Sequence, residues 1–144
     1  MSLVKAGENA RFNAGLGVFA QYHHEKGIAV IGANGKPVVY VQETDAVKGV
    51  ELMKSICEQV LNAKLEHHLI ELNEHAFVRA DYIGAITIAP EKAVVINNAD
   101  GEVIYWLEET DSDKAELICS EICKAYDTAS NKKPHIIDWP TLMA

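Results

Sequence analysis

The chain is short of arginine. Of its 13 basic residues only Arg11 and Arg79 are arginine, against 21 acids and a formal net charge of −8. Arginine supplies the forked grip on phosphates and guanine edges, so this balance argues against a protein that coats duplex DNA, while a local basic groove stays open. No apolar run approaches the roughly 20 residues needed to span a bilayer, and no signal-peptide pattern opens the chain. With three cysteines, an odd number, this leads us to expect reduced thiols and a cytoplasmic location. Low-complexity and disordered segments are absent. So is a glycine-rich phosphate loop, since Gly15 and Gly17 lack the rest of such a motif. Neither a Ser-His-acid signature nor a His-x3-His or Cys-x2-Cys pairing occurs. What remains is 144 residues, 49% hydrophobic and 24% charged, enough for one compact domain (1–144) with a real core.

The chain repeats itself. Shifted by 66 residues without gaps, 8–57 lies over 74–123, and thirteen of those fifty positions are identical, where composition alone gives about three. Glu25-Lys26 meets Glu91-Lys92, Ala33 and Gly35 meet Ala99 and Gly101, and Glu43-Thr44-Asp45 meets Glu109-Thr110-Asp111. Lys48, Ile56 and Cys57 meet Lys114, Ile122 and Cys123, and a one-residue insertion brings 68–72 over 135–139. The pattern predicts two copies of one supersecondary unit, about 8–72 and 74–139, related by a pseudo-twofold axis.

Read together, the copies predict short first strands at 10–13 and 76–79, then strands at 16–22 and 82–88. The β-branched runs 28–31 and 94–96 follow. Asn34-Gly35 and Asp100-Gly101 are hairpin turns, which we expect to be type I′, with return strands at 38–42 and 102–108. Thr-Asp at 44–45 and 110–111 signals a helix start, and Thr110 with Asp113 suggests a capping box. The helices run over 45–63 and 111–128, sharing the apolar face Gly49/Ala115, Leu52/Ile118, Met53/Cys119, Ile56/Ile122 and Val60/Tyr126. Matched tails, His68–Leu72 and His135–Trp139, read as short extended segments. The fold class is α+β: a ββββα(β) unit used twice, with antiparallel sheets and two helices sharing one core.

This order of elements resembles that of the Whirly- and PUR-type single-stranded nucleic-acid-binding folds; the likeness lies in topology and is carried by no residue motif. It implies a binding surface built from paired units, although the acidic charge departs from such binders. The half-clamp architecture of sliding clamps, duplicated and often acidic, is a second topological resemblance.

Alternation puts Val39 and Val41, and Tyr105 and Leu107, on the core side of the return strands. Tyr40 and Trp106 are then matched aromatics on the more solvated side, near Phe19, Gln21 and Thr87. Such rings stack bases on open sheets, or serve a protein contact, or belong to a core; Lys26, Lys36 and Lys92 at hairpin ends would add cations. His68 and His135 match, as do Glu71 and Asp138, a donor set suited to zinc. Residues three apart on a strand point to opposite faces, however, so His68 and Glu71 do not share a site naturally. His23, His24 and His67 read as loop or helix-end histidines. Cys119 and Cys123, one turn apart, read as small buried hydrophobes with Cys57. The acidic run 108–113 reads as a solvated helix start. No unique polar set breaks the repeat, as an active site would. The expectation is a small non-catalytic interaction protein without cofactor, taking a protein partner or a second copy and no membrane. A single-stranded DNA or RNA binder and a metal-dependent enzyme are the alternatives.

Overall fold

The computed structural model describes residues 3–24, 26–63, 68–90 and 93–144. It is an α+β fold with three antiparallel sheets and two main helices. Two compact units divide between Arg79 and Ala80, later than the repeat boundary read from the sequence. No helix among the described residues is long and apolar enough to cross a membrane.

The first unit begins with a strand that the sequence reading missed, β1 (Leu3–Lys5), paired with β2 (Arg11–Asn13). A 3-10 turn, Ala14–Leu16, leads into β3 (Phe19–His23), β4 (Gly27–Ile31) and β5 (Pro37–Gln42). Helix α1 (Ala46–Asn62) follows, then β6 (Leu69–Glu71) and β7 (Phe77–Arg79). The five-stranded sheet runs β5-β4-β3-β7-β6. Its core gathers Ala20, Ile28 and Val30 from the sheet with Met53, Ile56, Cys57 and Val60 from α1. Val4 and Phe12 from the β1-β2 hairpin, and Phe77, join them. This is the helical i, i+3, i+4, i+7 stripe meeting one face of a strand alternation. Cys57 is buried where Leu52, expected on that face, is only partly so.

The second unit holds a three-stranded sheet, β8 (Ile83–Ala89), β9 (Ala93–Asn98) and β10 (Val103–Glu108), in the order β10-β9-β8. Helix α2 (Ser112–Thr128) lies against β8 and β9. It buries Ala115, Ile118, Ile122 and Ala125, while Cys119 is partly buried and Tyr126, the counterpart of Val60, is exposed. The expected tail strand at 135–139 does not form. Residues 135–138 are irregular and lead into a short helix, α3 (Trp139–Leu142), capped by Asp138 and anchored by the buried Trp139. The matching tail 68–72 contains β6, which pairs with β7 as β1 pairs with β2, so it begins a hairpin.

Both helix starts are capped by aspartate and not by the preceding threonine. Asp45 Oδ1 accepts from the Val47 and Lys48 amides at 2.9 and 3.2 Å, and Asp111 Oδ1 from Asp113 and Lys114 at 3.0 and 3.2 Å. The side chains of Glu43 and Glu109 accept from the amides of Asp45 and Asp111 in turn. The Glu-Thr-Asp that occurs twice is therefore a cap with its support.

The hairpin turns form where expected, by a different geometry. Gly35 and Gly101 have φ of +79° and +82°, but Asn34 and Asp100 are not left-handed, so type I′ is ruled out. The Gly35 amide donates to Gly32 O and the Gly32 amide to Lys36 O, both at 2.9 Å, with the same pattern between Asn98, Gly101 and Glu102. A three-residue loop with glycine in the left-handed position is the result.

Candidate functional site

The strand ladders place the predicted aromatics. In the first unit Tyr40 faces Ala29, which faces Gln21; in the second Trp106 faces Val95, which faces Thr87. Each member of the second row stands 66 positions after its counterpart. Both ladders also slip at corresponding points, skipping Val38 and Ile104. Tyr40 is 55% exposed and Trp106 44%, while Val39 and Val41 pack on the core and Tyr105 is buried. Alternation along an amphipathic edge strand accounts for all of these positions.

The Tyr40 hydroxyl donates to the backbone carbonyl of Lys26 at 2.6 Å. Its proton is thus engaged inside the fold, and the ring is what the residue presents to solvent. Tyr40 also lines a cleft of about 650 Å³ within the first unit. One wall is the loop Ala6–Ala10, another is the strand end from Tyr40 to Glu43, and Lys48 and Leu52 of α1 complete it. Leu52 and Val41 give it an apolar floor, while Glu8, Asn9, Gln42, Glu43 and Lys48 bring polar groups. That volume is of the order of a small-ligand or side-chain pocket. Four of the thirteen repeated identities, Glu8, Ala10, Glu43 and Lys48, line it. Glu43 is explained by the helix cap; among the described residues the side chains of Lys48 and Glu8 make no hydrogen bond or ion pair that would require them. The sequence reading missed this loop, although the match of Glu8 and Ala10 with Glu74 and Ala76 was its one available signal.

The other predicted residues scatter. Phe19 is 7% exposed and so offers no ring to solvent; β7 runs alongside it, with Val78 opposite. Lys26 and Lys36 are exposed at opposite ends of β4, on the order of 15 Å apart. Lys92, with Glu25, Glu91 and His67, lies outside the described residues.

Three of the four metal candidates, Glu71, His135 and Asp138, are engaged locally. Glu71 Oε1 stands 3.2 Å from His75 Nδ1, and His68 is partly buried just before β6. In the second unit His135 Nε2 stands 3.0 Å from Glu121 Oε2, and Asp138 accepts from the amide and hydroxyl of Thr141. Among the described residues no group of three or more His, Cys, Asp or Glu is placed to hold a metal ion. All three cysteines are free. Burial, with the nearby carboxylates of Glu71 and Glu58, pushes the Cys57 thiol up to about 12. Its Sγ donates to the carbonyl of His75 at 2.6 Å. His75 and its neighbour Glu74 are both left-handed, with φ of 64° and 60°, a strained pair for side-chain-bearing residues. Burial likewise raises Cys119, which hydrogen-bonds Cys123.

In comparisons with known proteins, no family model, curated protein or solved structure matches the chain.

Proposed function

We propose that the chain is a non-catalytic interaction protein, built by internal duplication, that binds a protein partner through the open strand faces around Tyr40 and Trp106. The observation that carries this reading is Tyr40 itself. Its ring is solvent-facing beside a cleft, and its hydroxyl is tied to the Lys26 carbonyl. An aromatic held this way supplies contact area at little conformational cost. The shared spacing of 66 in the two strand ladders supports the duplication, and with it a second, equivalent contact at Trp106. The acids Glu8 and Glu43 beside Lys48 favour a partner with mixed polar groups over a polyphosphate. The three free cysteines support a reducing, cytoplasmic setting.

The test compares the wild-type chain with Tyr40→Ala/Trp106→Ala. Affinity capture from the native host should recover a partner with the first and lose it with the second, at matched folding by circular dichroism. Equal recovery by both would remove these faces from the interaction. Labelled single-stranded DNA and RNA are titrated in parallel at low and moderate salt. Saturable, salt-weakened binding that the double variant abolishes would replace the protein-partner reading with nucleic-acid binding.

A further inference from the structure

β8 has the composition of an interior strand and the position of an edge strand. Its seven residues, Ile-Gly-Ala-Ile-Thr-Ile-Ala, carry no charge in a chain of net charge −8. Among the described residues only β9 pairs with it. Natural sheets blunt such edges with lysine, proline or an inward charge, and β8 between Ala85 and Ala89 has none of these. The consequence shows in burial: Ile88 is 42% exposed, and Ala85 and Thr87 are exposed.

The corresponding strand of the first unit shows what such an edge accepts. β3, also without acidic or lysine side chains, pairs with β4 on one side. On its other side β7 lies antiparallel, matching Phe19 with Val78 and Ala20 with Phe77. Where that neighbour is present, Phe19 and Ala20 are buried; at the corresponding positions of β8, Ala85 is exposed and Ile86 only partly buried.

From this we infer that β8 is a self-association edge, pairing antiparallel with β8 of a second copy of this chain about a twofold axis at Thr87. The register follows from the strand. The ladder with β9 is irregular between Ile83 and Ala85 and regular from Ala85 to Ala89, so the regular half is what a new strand can read. An antiparallel twofold at its centre sets Thr87 opposite Thr87, Ile86 opposite Ile88 and Ala85 opposite Ala89 of the other copy. Threonine pairs and β-branched pairs are favourable cross-strand neighbours. The pairing joins two three-stranded sheets into one of six strands and covers Ile88. Because the contact is isologous it occupies the β8 edge of both copies at once, so association through this edge closes at a dimer. This gives the second copy expected from the sequence a definite surface, distinct from Tyr40 and Trp106, so that this inference and the proposed function fail separately.

The test is the solution mass of the full chain by light scattering across micromolar concentrations. The wild type should be a dimer of twice 15.8 kDa. Thr87→Lys, which sets two ammonium groups face to face on the axis from an exposed position, should be a monomer with an unchanged circular dichroism spectrum, its thermal midpoint no longer rising with protein concentration as that of the wild type does. Thr87→Cys should form a covalent dimer under mild oxidation, since directly opposed Cα atoms at about 4.5–5.5 Å are within disulfide reach, and the wild type should not. A monomeric wild type at all concentrations would overturn the inference. So would a dimer that survives Thr87→Lys; if that dimer is lost instead in Tyr40→Ala/Trp106→Ala, self-association belongs to the aromatic faces. Should Thr87→Lys not fold, the wild-type mass and the Thr87→Cys cross-link decide alone.

Discussion

The two units use the same ladder to different ends. In each, three antiparallel strands and a 17-residue helix follow in the same order, with aspartate caps making the same hydrogen bonds. Yet β3 lies inside a five-stranded sheet and β8 at the rim of a three-stranded one. The residues they bury differ accordingly. Phe19 is buried beside a strand that begins nearly sixty residues further along, whereas its counterpart Ala85, with no such neighbour among the described residues, is open. The lesson is that local pattern makes a strand, while its neighbours in the sheet decide whether that strand is core or surface.

The largest expected effect comes from trimming β7. Phe77 is fully buried against the first unit's core and pairs with Ala20. Phe77→Ala should destabilise that unit by about 3–5 kcal/mol in denaturant unfolding. It should also raise hydrogen exchange along β3 toward the level of β8. Unchanged protection of β3 would mean that β7 is not what separates the two strands.

Next is a contact at which the units differ in kind. Gly49 of α1 stands where a Cβ would run into the Tyr22 ring. At the corresponding positions of the second unit are Ala115 and Ile88, an added methyl set against a smaller side chain. Gly49→Ala should cost about 1–3 kcal/mol through overpacking. Adding Tyr22→Ile should recover most of that loss, and it also removes a buried hydroxyl that has no hydrogen-bond partner among the described residues. A double variant no better than the single one would show that the two positions are not coupled in this way.

The caps provide an internal control, because they are alike. Asp45→Ala and Asp111→Ala should each lower stability by about 1 kcal/mol, and by the same amount within error when each unit is followed by its own amides. A clear inequality would show that the surroundings of the caps differ more than their hydrogen bonds do.

The last expected effect is a slope with pH, nil at neutral pH and growing only above about pH 9. The Cys57 thiol titrates near 9.0 in the unfolded chain and near 12 in the fold. As pH rises, the unfolded state therefore releases this proton first. The stabilisation linked to Cys57 is complete below about pH 9 and declines between pH 9 and 12. Cys57→Ala should lower stability at neutral pH, yet show a shallower alkaline decline than the wild type. Parallel curves would remove the thiol as the cause.

Much of this was legible from the residues. The glycines at 35 and 101 mark turns because a positive φ is a local demand, and the core sides of β5 and β10 follow from alternation alone. Which turn type forms was not legible, since Asn34 and Asp100 are compatible with either. The cap was half legible: the Glu-Thr-Asp signal was right in place, and the aspartate supplies the oxygen. The candidate site was legible at Tyr40 and Trp106 and illegible elsewhere. The burial of Phe19 is set by tertiary packing that strand alternation does not encode, and the cleft depends on a loop whose shape no periodicity encodes. The matched tails shared sequence but not structure, because β6 finds β7 to pair with while 135–138 lead into a capped helical turn that buries Trp139.

The placement of the thiols has a practical consequence. The first unit holds one cysteine, sealed and bonded to a carbonyl, and the second holds two, half-buried on one helix. A thiol reagent applied under native conditions will therefore mark the helix pair early and Cys57 only when the first unit opens. The chain carries its own clock for each half, and mass spectrometry can read both from a single unlabelled sample.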